Sequence, residues 1–233
     1  AQACRVPAVV TRRVDNPEAR LASRAKYGLY TRVAVISEAI RKVLMGQGVP
    51  GDKLVRIPSA VDSGAYKRDC ARDDFLHEFD LEPHHRPVGM IAQFIRRKGH
   101  EDLERCPETR VIFLGQGPLE GEIRERVERA GVAHAVRFAG FRDDLADWLP
   151  CLELVIHPAR MEGLGVSLLQ SAAAGVPLVG YDAGGVPEIV RDGESGRLVY
   201  CGDIEGLVSA ASEIIEDPER AAALGRGGRA LVE

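Results

Sequence analysis

The 233 residues contain no Cys-x-x-Cys pair, no Asp-x-Asp triplet and no apolar run near the roughly 18 residues of a membrane span, and only 5% are aromatic. Each absence closes a class of function. The five cysteines, Cys4, Cys70, Cys106, Cys151 and Cys201, are scattered and odd in number. That disfavours a disulfide framework and a zinc site, so all are expected to be reduced. Aromatics this sparse do not interleave with basic residues as base-stacking platforms would, which argues against a nucleic-acid partner. Lysine is scarce too, since Arg supplies 26 of the 31 basic residues. No charged-apolar-small leader opens the sequence, and the default compartment is therefore the cytosol.

An apolar content of 45% suffices for one large or two small packed domains. The net charge of −4 conceals an asymmetry: residues 1 to 60 carry eleven Lys or Arg against four Asp or Glu, and the remainder twenty against thirty-one. A basic front suits an anionic acceptor or acidic lipid headgroups, and equally a solvated surface.

Short apolar runs recur along the chain. Ala8 to Thr11, Val33 to Ile36 and Leu54 to Ile57 read as strands, with a helix near Glu38 to Gly46. Further strands begin near 88, 111, 136, 154, 178 and 198, separated by helical stretches such as Leu119 to Ala130, closed by Gly131. This alternation predicts parallel, doubly wound sheets. Residues 63–87 are polar, hold Pro83, His84, His85 and Pro87, and read as a linker with a short helix around Asp73 to Phe79. The His pair has no carboxylate or Cys at ligand spacing and reads as linker surface. Asp203 is the expected N-cap of a tail helix with Ile204, Leu207, Val208, Ala211, Ile214 and Ile215 on one face.

The stretch Met161 to Val190 is the most informative. An apolar strand, Leu154 to His157, runs into the turn Glu162-Gly163-Leu164-Gly165, then into a helical pattern ending at Gly175 with Pro177 beyond. Glycines before a helix let the backbone approach a ligand, and the unpaired N–H groups of Leu164, Gly165 and Val166 point at any anion there. Seven residues separate Glu162 from Gln170, which places them roughly 12 Å apart along the helix and on similar faces. That span fits a ligand with its phosphate and sugar at the helix start and a ribose two turns on. Any α/β domain could show the same turn with Glu162 and Gln170 as surface side chains. A second anion handle is Ile95-Arg96-Arg97-Lys98-Gly99-His100, directly after the strand Val88 to Phe94, at the strand end where open α/β sheets bind ligands. Lys98 goes against the compositional bias toward Arg, although a solvated basic loop would also explain it.

These segments, with Gly115-Gln116-Gly117-Pro118-Leu119-Glu120, Val136 to Phe141, His157-Pro158-Ala159-Arg160-Met161-Glu162-Gly163, Ala174-Gly175-Val176-Pro177 and Gly184-Gly185-Val186-Pro187-Glu188, resemble in order and spacing the retaining glycosyltransferases of family four, glycosyl transferases group 1. The resemblance implies an α/β fold of GT-B type, with two Rossmann-like domains on parallel sheets, the N-terminal one incomplete. It divides the chain into a partial acceptor-side domain at 1–62, the linker at 63–87 and a nucleotide-sugar-binding domain at 88–233.

It further implies that Lys98 neutralises the diphosphate of a nucleotide-sugar donor and that the amides of Leu164, Gly165 and Val166, after Gly163, bind phosphates or sugar. Glu162 would hold sugar hydroxyls, and the segment carrying Phe138 and Phe141 would contact the base, largely through main chain. The sequence departs from the family in three places. Gln170 stands where a Glu usually takes both ribose hydroxyls, and a contact weaker by roughly 1 kcal/mol is expected. Gln93 stands where a phosphate-clamping Arg is common, so Arg96 or Arg97 would supply that charge. Arg13 falls where a His beside the reaction centre is often found.

The implied reaction is retaining transfer of a sugar to an unknown glycan or lipid-linked acceptor, in envelope polysaccharide or glycolipid synthesis, by a cytoplasmic protein with peripheral contact to an acidic inner membrane face. Neither a metal nor a cofactor is expected. A protein that binds nucleotide sugar without transferring it, a pseudoenzyme or sensor, is the alternative that Gln93, Arg13 and Gln170 favour. An epimerase of the same architecture would want more catalytic carboxylates and a His in the first half, and a dinucleotide dehydrogenase would rest on Gly115-x-Gly117 alone. The first strands and a closing carboxyl-terminal helix look absent, and Gly99 to Val111 leaves room only for a stub of helix. The sequence is accordingly expected to omit segments of a longer protein.

Overall fold

The computed structural model describes residues 6–66, 69–105 and 109–233. The first part forms a three-stranded parallel sheet of β1 (Val9–Arg12), β2 (Arg32–Val35) and β3 (Leu54–Arg56), in that order. Helices α1 (Arg20–Gly28) and α2 (Glu38–Gly46) make the crossovers. Ser37 starts α2 as expected of a hydroxyl N-cap, its Oγ accepting from the Ile40 N–H at 3.1 Å.

The second part is a six-stranded parallel sheet. Its strands are β4 (Pro87–Ile91), β5 (Arg110–Leu114), β6 (Val136–Gly140), β7 (Leu154–His157), β8 (Leu178–Tyr181) and β9 (Gly196–Val199), and their spatial order is β6-β5-β4-β7-β8-β9. Helices α4 (Glu120–Arg129), α5 (Leu145–Trp148), α6 (Val166–Ala173), α7 (Ile204–Glu216) and α8 (Pro218–Val232) cover it, after the linker helix α3 (Arg72–Glu78). Alternating side chains feed two cores: Ile112, Leu114, Val155 and Leu178 on one face, Val111, Phe113, Leu154, Ile156 and Val179 on the other. The first core is continuous with Val33, Val35, Ile40 and Leu44 of the small sheet, so the two parts share apolar packing.

The strand order reverses between β4 and β7. Chain leaving the carboxyl ends of those two strands diverges to opposite sides, which opens a crevice there. From Gly99 on, the described part of the β4–β5 crossover is a short 3₁₀ stretch, His100–Arg105, in line with the expected stub.

One expectation is corrected. Cys70 and Cys151 form a disulfide, with Cα atoms 4.9 Å apart across 81 residues of sequence. Scatter along the chain had concealed a spatial pairing, because α3 lies along the segment that holds Cys151, with Phe75 and Phe79 against Trp148 and the Arg72 guanidinium donating to the Cys151 carbonyl. Cys201 is free and exposed, and Cys4 and Cys106 lie outside the described residues. The last described element is a helix, α8, which was not read from the sequence. Its Gly225 and Gly227 cost helix propensity, but a Cβ there would stand 2.0 Å from the Gly175 carbonyl oxygen and 1.9 Å from that of Glu194. Close backbone approach requires glycine at both positions, and Arg229 then caps α6 by donating to the carbonyls of Ala173 and Ala174.

Candidate active site

At the reversal point two loops meet. The loop after β4 carries Arg96, Arg97 and Lys98, and the loop after β7 carries Glu162 and Gly163. Lys98 Nζ lies 2.5 Å from Glu162 Oε2, each side chain only 13% exposed. His157, at the end of β7 and 1% exposed, brings its Nε2 within 2.9 Å of the same oxygen. Burial alone would raise the Glu162 pKa, but the hydrogen bond with His157 and the neighbouring Lys98 charge outweigh it and hold the carboxyl at about 2. Burial pushes the His157 imidazole below its ordinary value, against the opposing pull of Glu162.

A buried network fixes the two loops to each other. Asp102, 2% exposed, accepts from Arg160 Nη2 at 2.9 Å and from the Tyr181 hydroxyl at 2.8 Å, while the Arg160 N–H donates to the Arg97 carbonyl. Sequence inspection missed Asp102, Tyr181 and His157 because each looks like ordinary strand or crossover residue and acquires partners only through folding.

Gly165 precedes α6 in the left-handed region, φ 92°, which only glycine adopts without strain. Among the described residues no side chain caps α6, and Leu164, Gly165 and Val166 donate none of the loop hydrogen bonds, which leaves these amides without a partner there. The helix begins at Val166, which corrects the 12 Å helical spacing: Glu162 lies in the turn before the helix and faces His157 and Lys98. Gln170 lies within α6 and donates from Nε2 to the Tyr66 hydroxyl at 2.7 Å.

The remaining predicted residues are distributed around this centre. Arg97 Nη1 donates to Asn16 Oδ1 at 3.1 Å, and Gln93 is exposed. Arg13 is exposed, and its carbonyl oxygen lies 2.5 Å from where a Gly163 Cβ would stand, so the first part abuts the glycine turn. Asp15, 7% exposed, approaches Gly184 with its Oδ2, and its Oδ1 has no hydrogen-bond partner among the described residues. Phe141 is 68% exposed, whereas the Phe138 ring is stacked on Phe94 and covered by the Arg124 guanidinium 4.0 Å from its centroid. Among the described residues no three His, Cys, Asp or Glu side chains are grouped to hold a metal ion.

Glu188, in the second glycine turn, clasps the small sheet's helix. Its Oε1 accepts from the N–H groups of Glu38 and Ala39 at the start of α2, and Oε2 lies 2.8 Å from Arg56. Gly185 N–H in the same turn donates to the Glu162 carbonyl. Glu188→Ala would strand two helix-end donors, an expected loss of about 1–3 kcal/mol that urea denaturation measures.

His100, 1% exposed beside Phe94, has neither ring nitrogen paired among the described residues. Burial and then the Lys98 charge lower its pKa from 6.5 to about 4. The unfolded chain binds this proton from about pH 6.5 and the folded one only near 4, so acid favours unfolding across that window. Stability should fall by roughly 2–3 kcal/mol from pH 7 to 4.5 on this account. His100→Phe should flatten that stretch of the profile, and an unchanged slope would place the loss elsewhere.

The two parallel sheets and their crevice define an α/β protein of GT-B type. The sequence profile of Glycosyl transferases group 1 matches residues 89–217, and the chain belongs to that family. Among curated proteins it is 33% identical over 185 residues to the lipopolysaccharide core biosynthesis mannosyltransferase LpsB of Rhizobium meliloti, covering 73% of this chain and 53% of that one. It is 30% identical to the GDP-mannose-dependent alpha-(1-6)-phosphatidylinositol monomannoside mannosyltransferase of Mycolicibacterium smegmatis, covering 91% and 60%. The chain thus spans little more than half the length of these relatives. Among solved structures, HepE of Anabaena in complex with UDP superposes with a TM-score of 0.90 at 22% identity, over 99% of this chain and 68% of that one. No helix among the described residues is long and apolar enough to cross a membrane.

Proposed function

We propose that this chain provides the donor-binding part, and a portion of the acceptor side, of a retaining glycosyltransferase that moves a sugar from a nucleotide-diphosphate sugar to an acceptor. The observation that carries the reading is the meeting of Lys98 and Glu162 at the strand-order reversal, beside the uncapped start of α6. Lys98 and the amides of Leu164, Gly165 and Val166 take the diphosphate, and Glu162 takes sugar hydroxyls. Arg97 adds charge where Gln93 has none, Gln170 faces the ribose, and the segment of Phe138 and Phe141 lies along the base. Arg13 belongs to the acceptor side.

Charge builds on the departing diphosphate as the sugar becomes oxocarbenium-like, and groups already aimed at that charge are the main catalytic contribution. The resemblance assigns the acceptor proton to the leaving phosphate, which needs neither a protein base nor a metal. The mannosyltransferase relatives support a mannosyl donor and a lipid-bound or lipopolysaccharide acceptor, and the basic first sixty residues suit an acidic cytoplasmic membrane face.

The test is the full-length protein with UDP-glucose, GDP-mannose and UDP-N-acetylglucosamine, in chelator. Transfer or slow donor hydrolysis releasing an α-configured sugar supports the reading, and a β-configured product contradicts retention. The binding-only alternative is favoured by one contact, the engagement of the Gln170 amide by Tyr66. It predicts saturable donor binding with no sugar moved.

A further inference from the structure

We propose that His157 is a positioning residue: its Nε2–H pins one oxygen of Glu162 so that the other is presented to the donor sugar. This rests on the donor-site reading above.

Glu162 is ionised and can only accept, so the 2.9 Å contact with His157 requires the proton on Nε2. That leaves Nδ1 bare, and it is buried with neither a donor nor an acceptor within reach among the described residues, so no contact there calls for the opposite tautomer. A neutral imidazole with a fixed tautomer is thereby built into the end of β7, where the strand and the Pro158 that follows leave the ring little freedom.

The second step is the division of labour on Glu162. Lys98 and His157 both converge on Oε2. Among the described residues no protein donor reaches Oε1, and Oε1 is not one of the buried unpartnered atoms, so it remains open to a ligand. An incoming diphosphate competes with Glu162 for the Lys98 ammonium. When Lys98 turns toward phosphate, His157 is the contact that still holds the carboxylate in place. A carboxylate without it would be free to follow the lysine, and its hydrogen bonds to sugar hydroxyls would lose their preset direction.

The role acts on the sugar and leaves the nucleotide alone, which separates it from a general packing role. Calorimetric titration of the wild type, His157→Phe and His157→Gln with UDP, GDP, UDP-glucose and GDP-mannose provides the comparison, and Gln places an amide N–H near the position of Nε2–H. Loss of one hydrogen bond to a charged group should cut the affinity advantage of the sugar nucleotide over its nucleoside diphosphate by about tenfold in His157→Phe. Nucleoside diphosphate affinity should stay within about twofold, and His157→Gln should recover most of the advantage. Equal weakening of both ligand types, or no change in either, overturns the proposal while leaving the donor-site reading standing. A wild type that binds none of the four ligands overturns that reading and this one with it. Should His157→Phe fail to fold, ¹⁵N shifts of the His157 ring in the wild type decide: a protonated Nε2 with a bare Nδ1, kept when UDP-glucose or GDP-mannose binds, supports the proposal, and the opposite tautomer ends it.

Discussion

Lys98→Ala is expected to lower turnover by about two orders of magnitude or more, roughly 3 kcal/mol of transition-state stabilisation. The magnitude follows from where the ammonium stands. It is nearly buried at the reversal of strand order, held by a single carboxylate, and next to helix amides that carry no cap. A cation desolvated before the reaction interacts with developing diphosphate charge far more strongly than one in water, and the protein need not reorganise to bring it there. The substitution also leaves Glu162 with only His157 as donor, so the affinity for a donor sugar should fall along with turnover. Steady-state kinetics of the full-length protein with its best donor measure both. Turnover within about threefold of the wild type would remove Lys98 from the mechanism.

Reduction of the Cys70–Cys151 bond is expected to lower the free energy of unfolding by about 4 kcal/mol, the chain-entropy effect of releasing a closed loop of some eighty residues. The bond anchors the linker to the six-stranded part, alongside Arg72 and the cluster of Phe75, Phe79 and Trp148. Denaturant titrations with and without a thiol reductant, with Cys151→Ser as control, give the value. Coincident transitions would mean that the two cysteines are thiols. The result also bears on location, because cytosolic thiol pools open accessible disulfides, whereas Cys151 is only 4% exposed.

What the sequence disclosed follows from the physics of each element. The strands β4 to β9 were legible because buried parallel strands read as unbroken runs such as Leu154 to Ile156, and the turns between them carry Gly and Pro. Helix α4 was legible from its closing Gly131. Helix α1 was not, since it buries only Ser23 and Tyr27 and shows no apolar stripe. Helix α8 was hidden by glycines that lower its intrinsic propensity and that only its contact with Gly175 and Glu194 explains.

The same limit applies to the site. Lys98 and Glu162 were singled out by motif, each at the end of its own strand, but their mutual contact spans 64 residues and depends on β4 and β7 becoming neighbours. Nothing local marks His157 as the partner of Glu162, or Asp102 as the joint acceptor for Arg160 and Tyr181. Those pairings are set by tertiary packing, as is the clasp of Glu188 on the start of α2.

The most direct measurement is calorimetric binding of UDP, GDP and ADP forms of glucose, mannose and N-acetylglucosamine to the wild type and to Lys98→Ala. The account predicts saturable binding of at least one of them to the wild type and an affinity lower by tenfold or more, about 1.4 kcal/mol, in the variant. Equal affinity in the two proteins would contradict it.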